Sequence, residues 1–407
     1  EAVFYMLGNL LSPLSIKLAR STRVMAVSSI FFALYSASFL ALNRVVFYSA
    51  SALQGFMYAM FNAGLNHYLT EISTRKTLER NSAYEWAIVS ISTFIGGCIY
   101  MATTFFSTPD GAYEPSTNYR DYTDFQIRIL YGSFASLAAT STFLFVCLPR
   151  GSVDGSIAVS HASSDADACR VADVPRLMRD MASTLVDPRV LLLTPQFLYA
   201  GMCISLGQSI FPTATQFTAT LTESTPYLAA FYAAAIASGS IFAGFVIDPL
   251  SRRIPNFGLR PLAFITVIIQ TCVSTLLLLS MPEWSTSTPT DKASLLIEPS
   301  IPLVLCLAGA LGTLEVCVIT TRTVACALAR PSRRAHVYAA GRFHQALASF
   351  ILFFISPLLS TYDCLFIIQA TCFIGAFLFV RVARSIERGE AEAAPPDATK
   401  SKLQELA

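Results

Sequence analysis

Within "LCLAGALGTLEVCVITTR" one carboxylate, Glu315, stands in an otherwise apolar run. An ionisable side chain inside a membrane helix costs several kcal/mol unless it is paired or hydrated, so it marks a candidate site by default. Glu315 lies about six residues, roughly 9 Å at 1.5 Å per residue, from the end of that run. Gly309 and Gly312 beside it let a second helix approach closely. Such a carboxylate can release and regain a proton while a cavity switches sides. A structural glutamate hydrogen-bonded to a neighbouring helix explains the same placement equally well.

Amides supply the next candidates. Asn62 and Asn66 are four apart and share a helix face, with Gln54 above them and His67 near the border. They can contact a solute or an ion, although hydrogen bonding between helices is the commoner use of membrane amides. Gln196 and Gln208 fall in a stretch broken by Pro195, Gly201, Gly207 and Pro212, where freed backbone carbonyls could line a cavity. Arg342 and His344 read as headgroup contacts at the start of a helix. There is no CxxC pair, phosphate-cradling glycine loop, Walker motif, HExxH or nucleophile elbow. The reading is therefore no enzyme, no metal and no cofactor.

These groups need elements to hold them, and composition says which. The chain has 407 residues, 54% hydrophobic and only 13% charged, whereas a soluble globule carries about 25% charge. Apolar windows near the 20 residues needed to span a bilayer recur along it, without the alternation of a strand barrel. The expected fold class is an all-α polytopic membrane protein. The windows cover 2 to 16, 24 to 42, 45 to 69, 84 to 106, 126 to 148, 190 to 218, 226 to 247, 261 to 281, 300 to 321, 337 to 359 and 362 to 382. Basic residues are dispersed among the loops, which argues against nucleic acid as a partner. Alternating sides puts Arg44, Arg120, Arg128 and Lys292 on one side and the rest of the 28 Lys and Arg residues on the other. By the positive-inside rule the majority side is cytoplasmic, and so is the C-terminus.

About eleven spans with the tail inside place Glu1 outside without a leader, so one preceding helix is expected to be missing. The chain then divides into an N-terminal bundle of five visible spans (1 to 148), a cytoplasmic linker (149 to 189), a six-helix C-terminal bundle (190 to 383) and a disordered cytoplasmic tail (384 to 407). The Ser/Asp-rich start of the linker favours disorder. Its end puts Leu177, Met178, Met181 and Leu185 on one helical face, which fits either a helix on the membrane surface or an ordinary connector.

Duplicated halves should show in the loops, and they do. "SPLSIKLAR" (Ser12 to Arg20) and "GFVIDPLSRR" (Gly244 to Arg253) align with Arg20 opposite Arg252. They resemble the G-x-x-x-D-x-x-G-R-R loop of the major facilitator superfamily. The resemblance implies a two-bundle transporter fold in which Asp248, Arg252 and Arg253 latch helix ends. Ile16 stands where the first copy should carry Asp.

"RNSAYEWA", Arg80 to Ala87, has a local explanation: Ser82 caps a helix and Glu85 returns the hydrogen bond, a device worth about 1 kcal/mol. The wider stretch, with Tyr68, Leu69, Thr70, Arg80, Asn81, Ser82, Trp86 and Ala87, also resembles the Unc-93-like family, as do Tyr48, Ser51, Leu53, Gly55 and Gly64 upstream. Asn62, Leu65 and Asn66 depart from that family's usual Trp, Gln and Gly. The resemblance implies a lipid-embedded protein that regulates or escorts a membrane partner, an ion channel such as a potassium channel or a receptor subunit. The alternative is a secondary transporter of a small solute, proton-coupled through Glu315. A degenerate fragment without activity is the third reading.

Overall fold

The computed structural model describes residues 1–41, 43–106, 123–149, 151–158, 174–222, 225 and 227–393, and its architecture is helical. Among the described residues twelve helices build it: α1 Ala2–Leu18, α2 Ser21–Ala37, α3 Arg44–Glu71, α4 Leu78–Phe106, α5 Asp124–Cys147, α6 Val174–Leu185, α7 Pro188–Gln216, α8 Leu228–Arg253, α9 Arg260–Ser280, α10 Ile301–Ala329, α11 Arg334–Ile355 and α12 Thr361–Ala393. Short helical turns and one isolated bridge, Thr218 with Thr290, complete the regular structure among the described residues.

Helices occupy each of the eleven apolar windows, but only eight of the described helices are both long and apolar enough to cross a membrane. α1 and α2 have 17 residues each, and α3 dilutes its 28 residues with Asn62, Asn66, His67 and Glu71.

Local chemistry sets several boundaries. Thr123 and Gln126 form a reciprocal capping box at α5, and Asp187 accepts from Arg189 N ahead of Pro188 at the start of α7. The capping box expected at Ser82 and Glu85 does not form. The turn from Thr74 to Thr77 starts α4 four residues earlier than Ser82. Ser82 Oγ is buried without a hydrogen-bond partner, and Glu85 lies within electrostatic reach of Arg342 and Arg322 instead.

Packing repeats across the two halves. α1 packs on α3, and α2 on α3 and α5; in the second half α8 packs on α10, and α9 on α10 and α12. α7 fills the second half, wedged between α11 and α12. The α8 and α10 backbones nearly touch, since a Cβ on Gly239 would enter the Gly309 backbone and one on Gly312 the Ile236 backbone. The halves meet where α4 lies on α8 and α10, and where α1 and α3 meet α11.

Residues 151–158 depart from the disorder expected of the linker. Val153 N donates to Glu71 O (3.0 Å) and Ile157 N to Ser73 O (2.9 Å), because the apolar Ile157 finds a buried seat beside the α3–α4 turn. α6 buries Leu177 and Met181 against protein, while Met178 is exposed; it bridges α1 and α11. The rest of the linker, 159–173, lies outside the described residues. α12 continues to Ala393, past the expected start of a disordered tail at 384; 394–407 also lie outside the described residues.

Candidate functional site

The octet from Arg80 to Ala87 is the first half's side of the junction. Tyr84, one turn after Arg80, donates its hydroxyl to Asp248 Oδ2 on α8 (2.9 Å). Asp248 is gripped in turn by Arg252, whose Nε and Nη2 each donate at 2.9 Å to a different carboxylate oxygen. A two-pronged guanidinium contact fixes orientation as well as charge. Ala83 and Ala87 pack on Gly244, and Asn81 Nδ2 ties back to Ser73 Oγ (2.9 Å). Tyr84 thus joins the Arg80–Ala87 loop of the first half to the Asp248–Arg252 pair of the second. Arg253 is exposed and in no ion pair among the described residues.

The first half lacks this latch. Ile16 offers no carboxylate, and Arg20 is exposed. The acid at that end is Glu71 of α3, which accepts from Ser21 Oγ (2.6 Å) and has His67 Nδ1 at 3.4 Å.

Glu315 lies deeper than six residues from a helix end. Its helix runs on to Ala329, so it stands at the middle of 29 residues. The charged Arg322 reads as a border in sequence, yet it is fully buried and the helix passes through it. Glu315 is 3% exposed and its Oε1 has no hydrogen-bond partner. It is flanked by Gln208, within a π-helical turn (Leu206–Ile210) of α7, and by Trp86 of α4, whose indole N–H is also buried and unpaired. Gly207 makes the room, since a Cβ there would sit 2.6 Å from Glu315 Oε1. Tyr232 Oη donates to Gly207 O (2.5 Å), using a carbonyl beside the π turn. Such turns inside helices frequently occur at functional sites.

Two turns from Glu315, Arg322 donates through Nη1 to Gln345 Oε1 of α11, while its Nη2 is buried without a partner. Arg342, three residues before Gln345, is also buried and its Nε is unpartnered. The headgroup role expected of Arg342 fails because α1 and α3 cover this part of α11. Glu85, Tyr5 and Tyr58 complete the cluster across the junction, within electrostatic reach of the guanidinium groups. Tyr5 stacks on Tyr58 with ring centroids 5.1 Å apart. Asn62 Nδ2 donates to Tyr58 O (2.9 Å) and approaches Tyr5 Oη (3.4 Å), which puts one of the two predicted amides here. Asn66 instead lines a small cavity of about 30 Å³ with Asn9, Ser12, His67 and Arg342, room for roughly one water. Gln196 turns away, packing against Gly375 of α12.

Of the predicted residues, the structure therefore brings Glu315, Gln208 and Trp86 together, Asn62 and Glu85 into the neighbouring cluster, and Asn66 into the cavity beside its Arg342. Arg322, Arg342, Gln345, Tyr5 and Tyr58 were not singled out for it. The clue was the apolar run after Arg322, "TVACALA", which leaves no reason to end the span there. Two carboxylates and two guanidiniums at the seam of two bundles can bind a charged solute and move a proton. No cluster among the described residues could hold a metal ion.

Comparison with known proteins agrees with this architecture. Residues 2–380 match the family model described as ion channel regulatory protein UNC-93. The UNC93-like protein MFSD11 of Xenopus laevis is 22% identical over 381 residues, covering 91% of this chain and 83% of that protein. Its Xenopus tropicalis counterpart is 20% identical over 390 residues, covering 94% and 85%. Among solved structures, the major facilitator superfamily transporter FucP in its outward conformation superposes with a TM-score of 0.62 at 11% identity, over 93% of this chain and 88% of that one. The human organic anion transporter MFSD10 superposes with a TM-score of 0.56 at 16% identity, over 93% and 82%. The shared fold is that of the major facilitator superfamily.

Proposed function

This chain belongs to the UNC-93 family of ion channel regulatory proteins, a multi-pass membrane protein of major facilitator fold, and from that premise we propose that it carries a small solute across the bilayer with Glu315 as its proton-linked carboxylate. The observation that carries the reading is Glu315 itself, at mid-helix, buried, unpartnered at Oε1 and placed between a π turn of one half and Trp86 of the other. A group at the seam exchanges its surroundings when the halves rock, which is what coupling to a proton requires. α1, α2 and α3 are read as spans alongside the eight long apolar helices, giving eleven. The distribution of Lys and Arg supports the latch end and the C-terminus facing the cytoplasm.

A second reading keeps the family's description: a regulator or escort of an ion channel or receptor subunit. It is favoured by Ile16, because a protein that no longer needs both latches has less need to alternate.

The test is uptake into proteoliposomes under an imposed proton gradient, across carboxylate, amino acid, sugar and phosphate substrates. The transport reading expects gradient-driven uptake of at least one, with Glu315→Gln lowering it 100-fold or more while leaving thermal stability within a few degrees. No uptake, together with stoichiometric co-purification of a channel subunit, would establish the regulator instead.

A further inference from the structure

Arg322 and Arg342 form a charged site without its counter-ion. Both are buried, at 1% and 4% exposure, and each keeps a guanidinium nitrogen shielded from solvent with no acceptor: Nη2 of Arg322 and Nε of Arg342. Facing them are Gln345 beside them, Tyr5 and Tyr58 from α1 and α3, and Glu85 from α4, and the small cavity on Arg342 adds Asn66, His67 and Arg334. Glu85 is the only carboxylate among these, and it makes no salt bridge to either arginine among the described residues. Buried charges persist when paired and hydrogen-bonded. Two guanidiniums against one carboxylate that bridges neither leave both unpartnered nitrogens and one negative charge to be matched.

We propose that this cluster is the solute site and that the solute is a small organic anion, its carboxylate taken by Arg322 and Arg342 and its body laid against the stacked Tyr5 and Tyr58. Planar guanidinium groups match a carboxylate edge. The tyrosine pair offers an apolar face with a hydroxyl at its rim. Asn62 fixes that wall through its bonds to Tyr58 O and towards Tyr5 Oη. Glu85 competes with the ligand for the same cations, so it sets affinity from the opposite half. Glu315, two turns along α10 from Arg322, is placed to exchange a proton as the anion moves. The proposal deepens the transport reading and rests on it for passage of the anion, but binding is measured apart from flux.

The experiment is thermal unfolding of the full chain in detergent with benzoate, lactate and succinate, each against its neutral amide at equal ionic strength. At least one carboxylate should raise the unfolding temperature saturably while its amide does not. Arg342→Gln should weaken that ligand at least ten-fold, and Arg322→Gln at least as much. Because a variant at fully buried Arg322 can fail to fold, Glu85→Gln supplies the opposite sign: removing the competing acid should tighten binding several-fold, a gain misfolding cannot imitate. The proposal is overturned if no carboxylate shifts the transition, if carboxylates and amides act alike, or if neither Arg342→Gln nor Glu85→Gln alters affinity. Saturable binding without flux removes the transport reading and leaves the anion site. Flux of a neutral solute indifferent to Arg342→Gln removes the anion site and leaves transport.

Discussion

The two halves share helix pairings and differ in how they spend their surface. In the second half, 67% of the apolar window of α10 and 61% of that of α7 are buried, whereas no residue of the α5 window is buried and only 22% of the α4 window is. The main hydrophobic clusters follow suit, drawn mostly from residues after Val190, with the first half adding Leu78, Ala83 and Trp86 at the seam. Packing in lipid relies on close van der Waals fit and small residues. Among the described residues the second half is thus the more closely fitted of the two. The candidate site uses both: guanidiniums and Glu315 sit on the closely fitted side, while Glu85, Trp86, Tyr5 and Tyr58 come from the other.

The sharpest way to break this contrast is a matched pair of glycine substitutions. Gly312→Ala drives a Cβ into the Ile236 backbone and should cost at least the roughly 1–3 kcal/mol of overpacking, seen as a fall of several degrees or more in detergent melting. Gly96→Ala, with Phe134 as its nearest neighbour at 3.9 Å, should leave melting unchanged. Equal losses at both would end the idea of unequal halves.

The latches give a second, smaller contrast. Asp248→Asn loosens the Arg252 fork and the Tyr84 bond, at about 1–2 kcal/mol, and should raise protease or label access at the latch end. Arg20→Gln, in the first half's degenerate copy, should do nothing measurable. If both act alike, the first latch works after all.

The smallest effect belongs to the connection between the halves. Burial alone would raise the Asp187 carboxyl, but its hydrogen bond from Arg330 (Nη2 to Oδ2, 2.7 Å) and its backbone cap hold it below its ordinary 3.8. A depressed carboxyl stabilises the fold above its unfolded value and loses that contribution as pH falls through the folded one. Wild type and Asp187→Asn should therefore differ by a constant amount, under about 1 kcal/mol, from pH 5 to 8. Their melting curves should converge only below about pH 4.

Much of this architecture is legible in the sequence. Each apolar window holds a helix, and Glu315 is buried. The loops at Arg80 and Asp248 meet through Tyr84, and no pattern along one chain reveals a contact between residues 164 positions apart. Hydropathy failed where charge is buried: Arg322 read as a span's end and Arg342 as a headgroup anchor, since a scale cannot tell a guanidinium in lipid from one enclosed by helices. Glu85 was mistaken for half of a cap because the capping spacing is present by chance inside a helix that begins earlier. Gln196 carries the polarity of a cavity residue but turns to α12, a choice set by packing around Gly375.

Transport as proposed requires the two halves to move against each other at the seam. Spin labels on Lys76 and Arg253, both exposed and on opposite sides of the latch-end junction, would report it by pulsed dipolar spectroscopy with the exposed cysteines replaced. The account predicts two distance populations whose ratio shifts between wild type and Glu315→Gln and on adding a bound carboxylate. A single distance, unmoved by either, would contradict it and leave a static body whose role is to hold a partner.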